Sequence, residues 1–207
     1  MSSQSTNGTL DVSSVAISKG TLFPRPPTFD DPLDERRYLK ERLTLAFRLF
    51  AKQGYEEGVA GHIAVCDPVE PKTFWVNPFG VAWTMLRASD LIRVDYNGEI
   101  IDSGPVCLLN KAGLGSKKAA ILSNHGILTC GGSVESCVFW YMSLERSCQA
   151  QLLADAAAAA RGSETVKVSA DDALFTYKTV GFELAGWFSA KPAFDTMERQ
   201  SGNEHKM

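Results

Sequence analysis

Imidazole, thiol and carboxylate are the side chains that can hold a metal or move a proton, and the first of these is scarce here. The chain has three histidines, His62, His125 and His205. His125 stands in Asn124-His125-Gly126, between two short apolar stretches, His62 follows Gly61 at the start of an alternating segment, and His205 lies in the polar run 201–206. A catalytic zinc needs three protein ligands and an open position, so one imidazole in a turn does not make that site. His62 and Cys107 have donor types that suit zinc, but their spacing fits no metal signature. The plain readings are that His125 hydrogen-bonds in its turn, His62 is a polar group at a strand end, and His205 is solvated tail. Glu70 and Asp102 sit in turn-like contexts where solvation is the default. No serine or cysteine declares a nucleophile triad with these histidines, and Gly131-Gly132 lacks the Lys-Ser/Thr of a phosphate loop.

The elements that must position these groups follow from the hydrophobic pattern. Leu39, Leu43, Phe47 and Phe50 recur at helical spacing from Asp34 to a stop at Gly54, predicting an amphipathic helix of about five turns with Arg36, Arg37, Lys40, Glu41 and Arg48 turned outward. Segments 61–67 and 73–77 alternate and end at Pro68 and Pro78, which predicts two paired strands. Strands at 91–96 and 99–101 flank Asn97-Gly98, a strong hairpin signal. Two further short strands, 119–123 and 127–130, enclose Asn124-His125-Gly126. Ser133 then caps a long helix that ends beyond the alanine run 156–160. The remainder carries two aromatic groups, Phe175/Tyr177 and Trp187/Phe188, expected to pack on the domain or on a neighbouring subunit.

The 207 residues, 44% hydrophobic and 22% charged, suit one soluble domain. Residues 1–33 read as a disordered arm ending in a proline-rich stretch, 34–162 as the domain, and 163–207 as a partly packed extension. A net charge of -3 with scattered basic residues gives no footprint for nucleic acid. Five cysteines form no CxxC pair and read as reduced thiols. No secretory signal and no apolar run long enough to span a bilayer is seen, so no membrane association and a cytoplasmic location are expected.

Taken in order, Gly61-His62-Ile63-Ala64-Val65-Cys66-Asp67-Pro68, Phe74-Trp75-Val76-Asn77-Pro78-Phe79-Gly80, Ala88-Ser89-Asp90-Leu91-Ile92, Asn97-Gly98-Glu99 and 121–131 before a long helix resemble the class II aldolase/adducin family over about residues 34–160. The C-terminal motifs around Phe175 and Trp187 look like the extension of its adducin-like branch, in fungal and bacterial members. The resemblance implies a three-layer α/β/α domain around a mainly antiparallel central sheet, often a homotetramer with active sites at subunit interfaces. Its enzymes, fuculose-phosphate aldolase among them, use a divalent metal, usually zinc, to polarise a small-molecule carbonyl substrate. Three histidines hold that metal, two from a His-x-His pair and one from the Asn-His-Gly turn. Carried over residue by residue, His125 matches the third metal ligand, with Asn124 beside it as a substrate-binding candidate. Gly61 and His62 match the turn that helps hold the substrate phosphate.

The chain departs from the family between Gly104-Pro105-Val106 and Ala119. It runs from 110–113 directly into 114–119, as if the start of one element were joined to the end of another, and it contains no His-x-His. The family's acid/base glutamate has no counterpart in Cys107-Leu108-Leu109-Asn110. An internal deletion near 111–115 is expected, and with it a binding or assembly domain holding no stoichiometric zinc. The alternative is a metal-dependent lyase or related biosynthetic enzyme whose site is completed by other ligands or by a neighbouring subunit. A cytoskeletal role like that of adducin ranks third, because the tail is short and lacks a basic end.

Overall fold

A computed structural model of the chain describes residues 24–106, 119–122 and 126–206. Helix α1 (Pro32–Lys52) starts where Asp31 accepts a hydrogen bond from the Leu33 amide at 2.8 Å, with proline at its first position. Six consecutive residues of α1, Arg42 to Phe47, are buried, so this stretch is enclosed on every side. One side meets the four-stranded sheet and the others meet α2 (Val134–Ala160) and α4 (Glu183–Ser201). The expected outward face of α1 is therefore largely engaged. Arg36 Nη2 donates to Asp67 at 3.0 Å, Lys40 Nζ lies 3.9 Å from the Trp75 ring centre, and Arg48 Nη2 donates to the Leu86 carbonyl at 3.3 Å. Long stems let these cations reach polar and aromatic partners while their methylenes cover apolar surface, which a helical wheel does not register.

The sheet has the order β1 (Ala64–Cys66), β2 (Thr73–Val76), β3 (Ile92–Asp95), β4 (Ile100–Asp102), antiparallel throughout. Its two faces alternate as period-2 sterics require. Trp75 and Arg93 face one another across β2 and β3 on the α1 side, while Phe74 pairs with Val94 and Val76 with Ile92 on the other. The Asn97-Gly98 turn forms as expected. The Asp95 carboxylate accepts the Asn97 and Glu99 amides at 2.9 Å each, and Gly98 takes φ 80°.

Strands β5 (Ala119–Leu122) and β6 (Gly126–Thr129) pair with each other in a separate two-stranded sheet. β6 is pinned to α2, where Thr129 Oγ1 donates to the Cys137 carbonyl at 3.0 Å and Cys137 Sγ to the Thr129 carbonyl at 3.3 Å. Ser133 caps α2 as expected, exchanging hydrogen bonds with Ser136. Val134, Val138 and Met142 are buried, but residues 149–157 of α2 are all exposed.

Beyond residue 162 the aromatic groups divide. Trp187, Ala190, Phe194 and Met197 of α4 recur at three- and four-residue spacing and are buried; the last three share a core with Leu43, Phe47, Trp75 and Val138. Helix α3 (Ala170–Val180), which carries Phe175 and Tyr177, has no buried residue. The solvated tail expected at 201–206 instead folds back on α1. Thr44 Oγ1 and the Ala88 amide both donate to the His205 carbonyl, Lys206 pairs with Glu41, and the His205 side chain is fully buried. Of the proposed arm, residues 24–33 are described: Pro32 and Leu33 already belong to α1, and Phe29 packs on Tyr38.

Candidate functional site

The antiparallel register gathers the start of β1, the end of β2, the start of β3 and the end of β4 at one end of the sheet. Ala64 faces Val76 and Val76 faces Ile92, so Gly61-His62 and Asn77-Pro78 emerge side by side, and Ser103-Gly104 leaves β4 at the same end. Close packing fixes this end. Gly61 has φ 85°, and a Cβ there would come within 3.0 Å of the Trp83 ring. Trp83 is itself held by its amide, which donates to Glu56 Oε1 at 2.7 Å. At Gly104 a Cβ would clash with the Ser89 carbonyl oxygen. Glycine is needed at both places.

Of the candidate site residues, Gly61 and His62 lie at this sheet end. Asn124 and His125 fall outside the described residues, as does Cys107. His62 is half-buried and already engaged with a neighbour. His205 has no part in the sheet end, since its ring is sealed in the C-terminal turn with neither nitrogen partnered. Burial, reinforced by the Lys206 charge, pushes its imidazole below the ordinary histidine value despite Glu198 nearby.

Asn77 belongs at the site although its residue type alone gives it no distinction. It is buried at the end of β2, its Nδ2 makes a long 3.5 Å contact to the Pro78 carbonyl, and its Oδ1 has no partner. The Asn-Pro that stops β2 is the only sign of it in the sequence.

Asp67 is the most heavily bonded carboxylate. Burial pushes its carboxyl up, but hydrogen bonds from Arg36 and from the Glu70 and Val69 amides outweigh that and hold it below the usual range. It also accepts the Trp75 indole N–H at 2.8 Å. Asp67 thus ties the β1–β2 turn to α1, and its oxygens are spent on that task. Glu70, expected to be solvated, pairs with Arg93. Burial pushes the Lys40 ammonium below its usual value against the opposing pull of Asp102. Cys66, Cys130, Cys137 and Cys148 are free thiols, and burial raises that of Cys137, leaving it a poor nucleophile.

No group of three His, Cys, Asp or Glu side chains that could hold a metal occurs among the described residues. The whole chain offers three imidazoles, and one of them, His205, is locked into the C-terminal turn. These residues do not fit the three-imidazole site that the resemblance implies. No described helix is long and apolar enough to cross a membrane.

The family profile described as the Class II Aldolase and Adducin N-terminal domain matches this chain in two segments, residues 41–111 and 107–152. An L-fuculose 1-phosphate aldolase from Glaciozyma antarctica superposes with a TM-score of 0.81 at 34% identity, covering 88% of this chain and 97% of that one. The decarboxylase NovR of Streptomyces niveus is 27% identical over 241 residues, 82% of this chain and 87% of NovR. A meiotically up-regulated protein of Schizosaccharomyces pombe is 27% identical over 201 residues, 63% of this chain and 78% of that protein. With its α/β fold, antiparallel sheet and collinear motifs, the chain belongs to the class II aldolase and adducin family.

Proposed function

We propose that this chain is a class II aldolase/adducin domain with an incomplete metal site, acting as a binding and assembly domain or an impaired enzyme. The observation that carries this reading is the histidine inventory. Of three imidazoles, His205 is confined to the C-terminal turn, and the remaining two cannot supply the three ligands that a catalytic zinc requires. An internal deletion accounts for the loss of His-x-His. In its support, the two profile segments meet at 107–111, beside the abrupt joint in the sequence. The NovR alignment runs over 241 positions while covering 82% of 207 residues, roughly 170, so roughly 70 positions fall opposite gaps in this chain. Zinc measured after exhaustive dialysis of the purified protein tests the reading: well under one ion per chain is expected, and one tightly held ion per chain would refute it.

A second reading is favoured by the likeness to an aldolase and a decarboxylase. In it the chain is a metal-dependent lyase, or a related biosynthetic enzyme, acting on a small carbonyl compound. Its metal would be zinc or another divalent ion, completed by a neighbouring subunit, with Gly61, His62 and Asn124 holding substrate and His125 holding metal. Loss of activity in His125→Ala would favour this reading, and unchanged activity would remove His125 from any such role. In both readings the protein is cytoplasmic and self-associates. Exposed Phe175 and Tyr177 on α3 support self-association, which sedimentation of the full chain would report as a mass above that of the monomer.

A further inference from the structure

The turn at 201–206 sits on α1 in a way that a proton would upset. The His205 ring is fully buried, and neither of its nitrogens has a partner. A neutral imidazole brings one N–H into such a seat, whereas an imidazolium brings two and a full charge. A buried charge without a hydrogen-bond acceptor is costly, so the protonated ring does not fit there. The surrounding charges do not change this. Helix α1 presents Glu41, Arg42 and Arg48, α4 presents Glu198, and the turn itself carries Glu204 and Lys206. In the 86–90 segment Arg87 is exposed, and the Asp90 carboxylate accepts the Arg87 amide at 2.9 Å. Burial is the leading effect against protonation, Lys206, Arg48 and Arg42 add to it, and Glu198 opposes them.

Little else holds the turn down. Lys206 lies 3.8 Å from Glu41 and 3.7 Å from Glu198, and Arg48 lies 3.5 Å from Glu204; each pair has a partner more than a third exposed and contributes little. The remaining tie is the His205 carbonyl, which accepts from Thr44 Oγ1 at 3.2 Å and from the Ala88 amide at 3.0 Å. These two donors differ. Thr44 Oγ1 also reaches the Glu41 carbonyl at 2.8 Å and keeps that acceptor if the turn leaves, whereas the Ala88 amide loses its own. Ala88 lies between Leu86, whose carbonyl accepts from Arg48, and Ser89, whose carbonyl packs against Gly104 at the sheet end.

We propose that the C-terminal turn is a latch on the 86–90 segment, closed while His205 is neutral and opened when its imidazole is protonated. Opening uncovers the Ala88 amide and frees one side of a segment that packs on Gly104 at the Gly61-His62 end of the sheet. Hydrogen exchange of the full-length protein, read at the Ala88 amide by NMR and corrected for the intrinsic pH dependence of exchange, tests this. Protection at Ala88 should fall about tenfold between about pH 7.5 and 5.5, as the released ring takes up its proton at an ordinary histidine value. The amides of Leu43 to Phe47 in α1 should keep their protection. His205→Phe, which fills the seat without titrating, should keep Ala88 protected at both pH values. His205→Ala, with no ring to hold the turn, should leave Ala88 weakly protected at both. Protection at Ala88 that does not change with pH in the wild type would overturn the proposal. So would an equal fall in His205→Phe, or full protection in His205→Ala. A fall shared by Leu43 to Phe47 would also overturn it, because the whole core and not the latch would then be opening.

Discussion

Two halves of the molecule treat the same kind of residue in opposite ways. In the half built from α1, β1–β3 and α4, apolar side chains are sealed: Leu43, Phe47, Ile92, Val94 and Phe194 have no measurable exposure. In the half built from β4, β5–β6, distal α2 and α3, residues of equal hydrophobicity face outward, with Ile101 49% exposed, Ile121 71%, Leu152 71% and Phe175 71%. Strands β4 and β5 flank residues 107–118, the stretch where the sequence departs from its family. The contrast teaches that packing is uneven: the α1-centred core is enclosed by its own partners, whereas β4, β5–β6, distal α2 and α3 leave apolar side chains open.

This comparison can be broken by substitution. Phe47→Ala or Phe194→Ala should lower stability by about 3–5 kcal/mol in a denaturant melt, because each opens a cavity in sealed packing. Leu152→Ala should stay within about 0.5 kcal/mol. Equal effects would mean that the two halves do not differ as described. Glu135→Ala should cost up to about 3 kcal/mol, since it removes the nearer carboxylate of the buried Arg42 guanidinium and leaves only Glu198 at 3.4 Å. Gly61→Ala should cost about 1–3 kcal/mol, through a strained positive φ and the Trp83 contact, and Gly162→Ala less, because nothing lies within 4 Å of a Cβ there.

The smallest effect is pH-dependent. The His205 imidazole is held below its ordinary value of 6.5, so the unfolded chain binds the proton more readily than the native one. Stability from this residue is fully present above about pH 6.5 and falls as the pH drops below it. His205→Gln, which cannot titrate, should flatten the decline in melting temperature between about pH 7 and 5. An unchanged slope would show that the His205 imidazole binds its proton equally well in the native and the unfolded chain.

Local chemistry was legible in the sequence wherever a few neighbouring residues decide the outcome. The Ser133 cap, the Asn97-Gly98 hairpin and the proline stops of β1 and β2 are of this kind, and so is the family order of motifs. What depends on distant partners was not legible. The Arg36, Lys40 and Arg48 side chains look like a solvated helix face until Asp67, Trp75 and the Leu86 carbonyl come beneath them. His205 looks like tail until Thr44 and Ala88 bind its carbonyl. Asn77 acquires interest only when its Oδ1 is found buried beside the Gly61-His62 turn without a partner. Of the candidate site, Gly61 and His62 read in the sequence as the start of a strand, and the register that brings them beside Asn77 was not legible there; Asn124 and His125 lie outside the described residues.

The incomplete metal site is the central claim, and zinc titration followed by calorimetry, on the wild-type chain and His125→Ala side by side, tests it most directly. The account predicts weak, indistinguishable binding to the two proteins. Tight binding of one zinc per wild-type chain, abolished by His125→Ala, would contradict it.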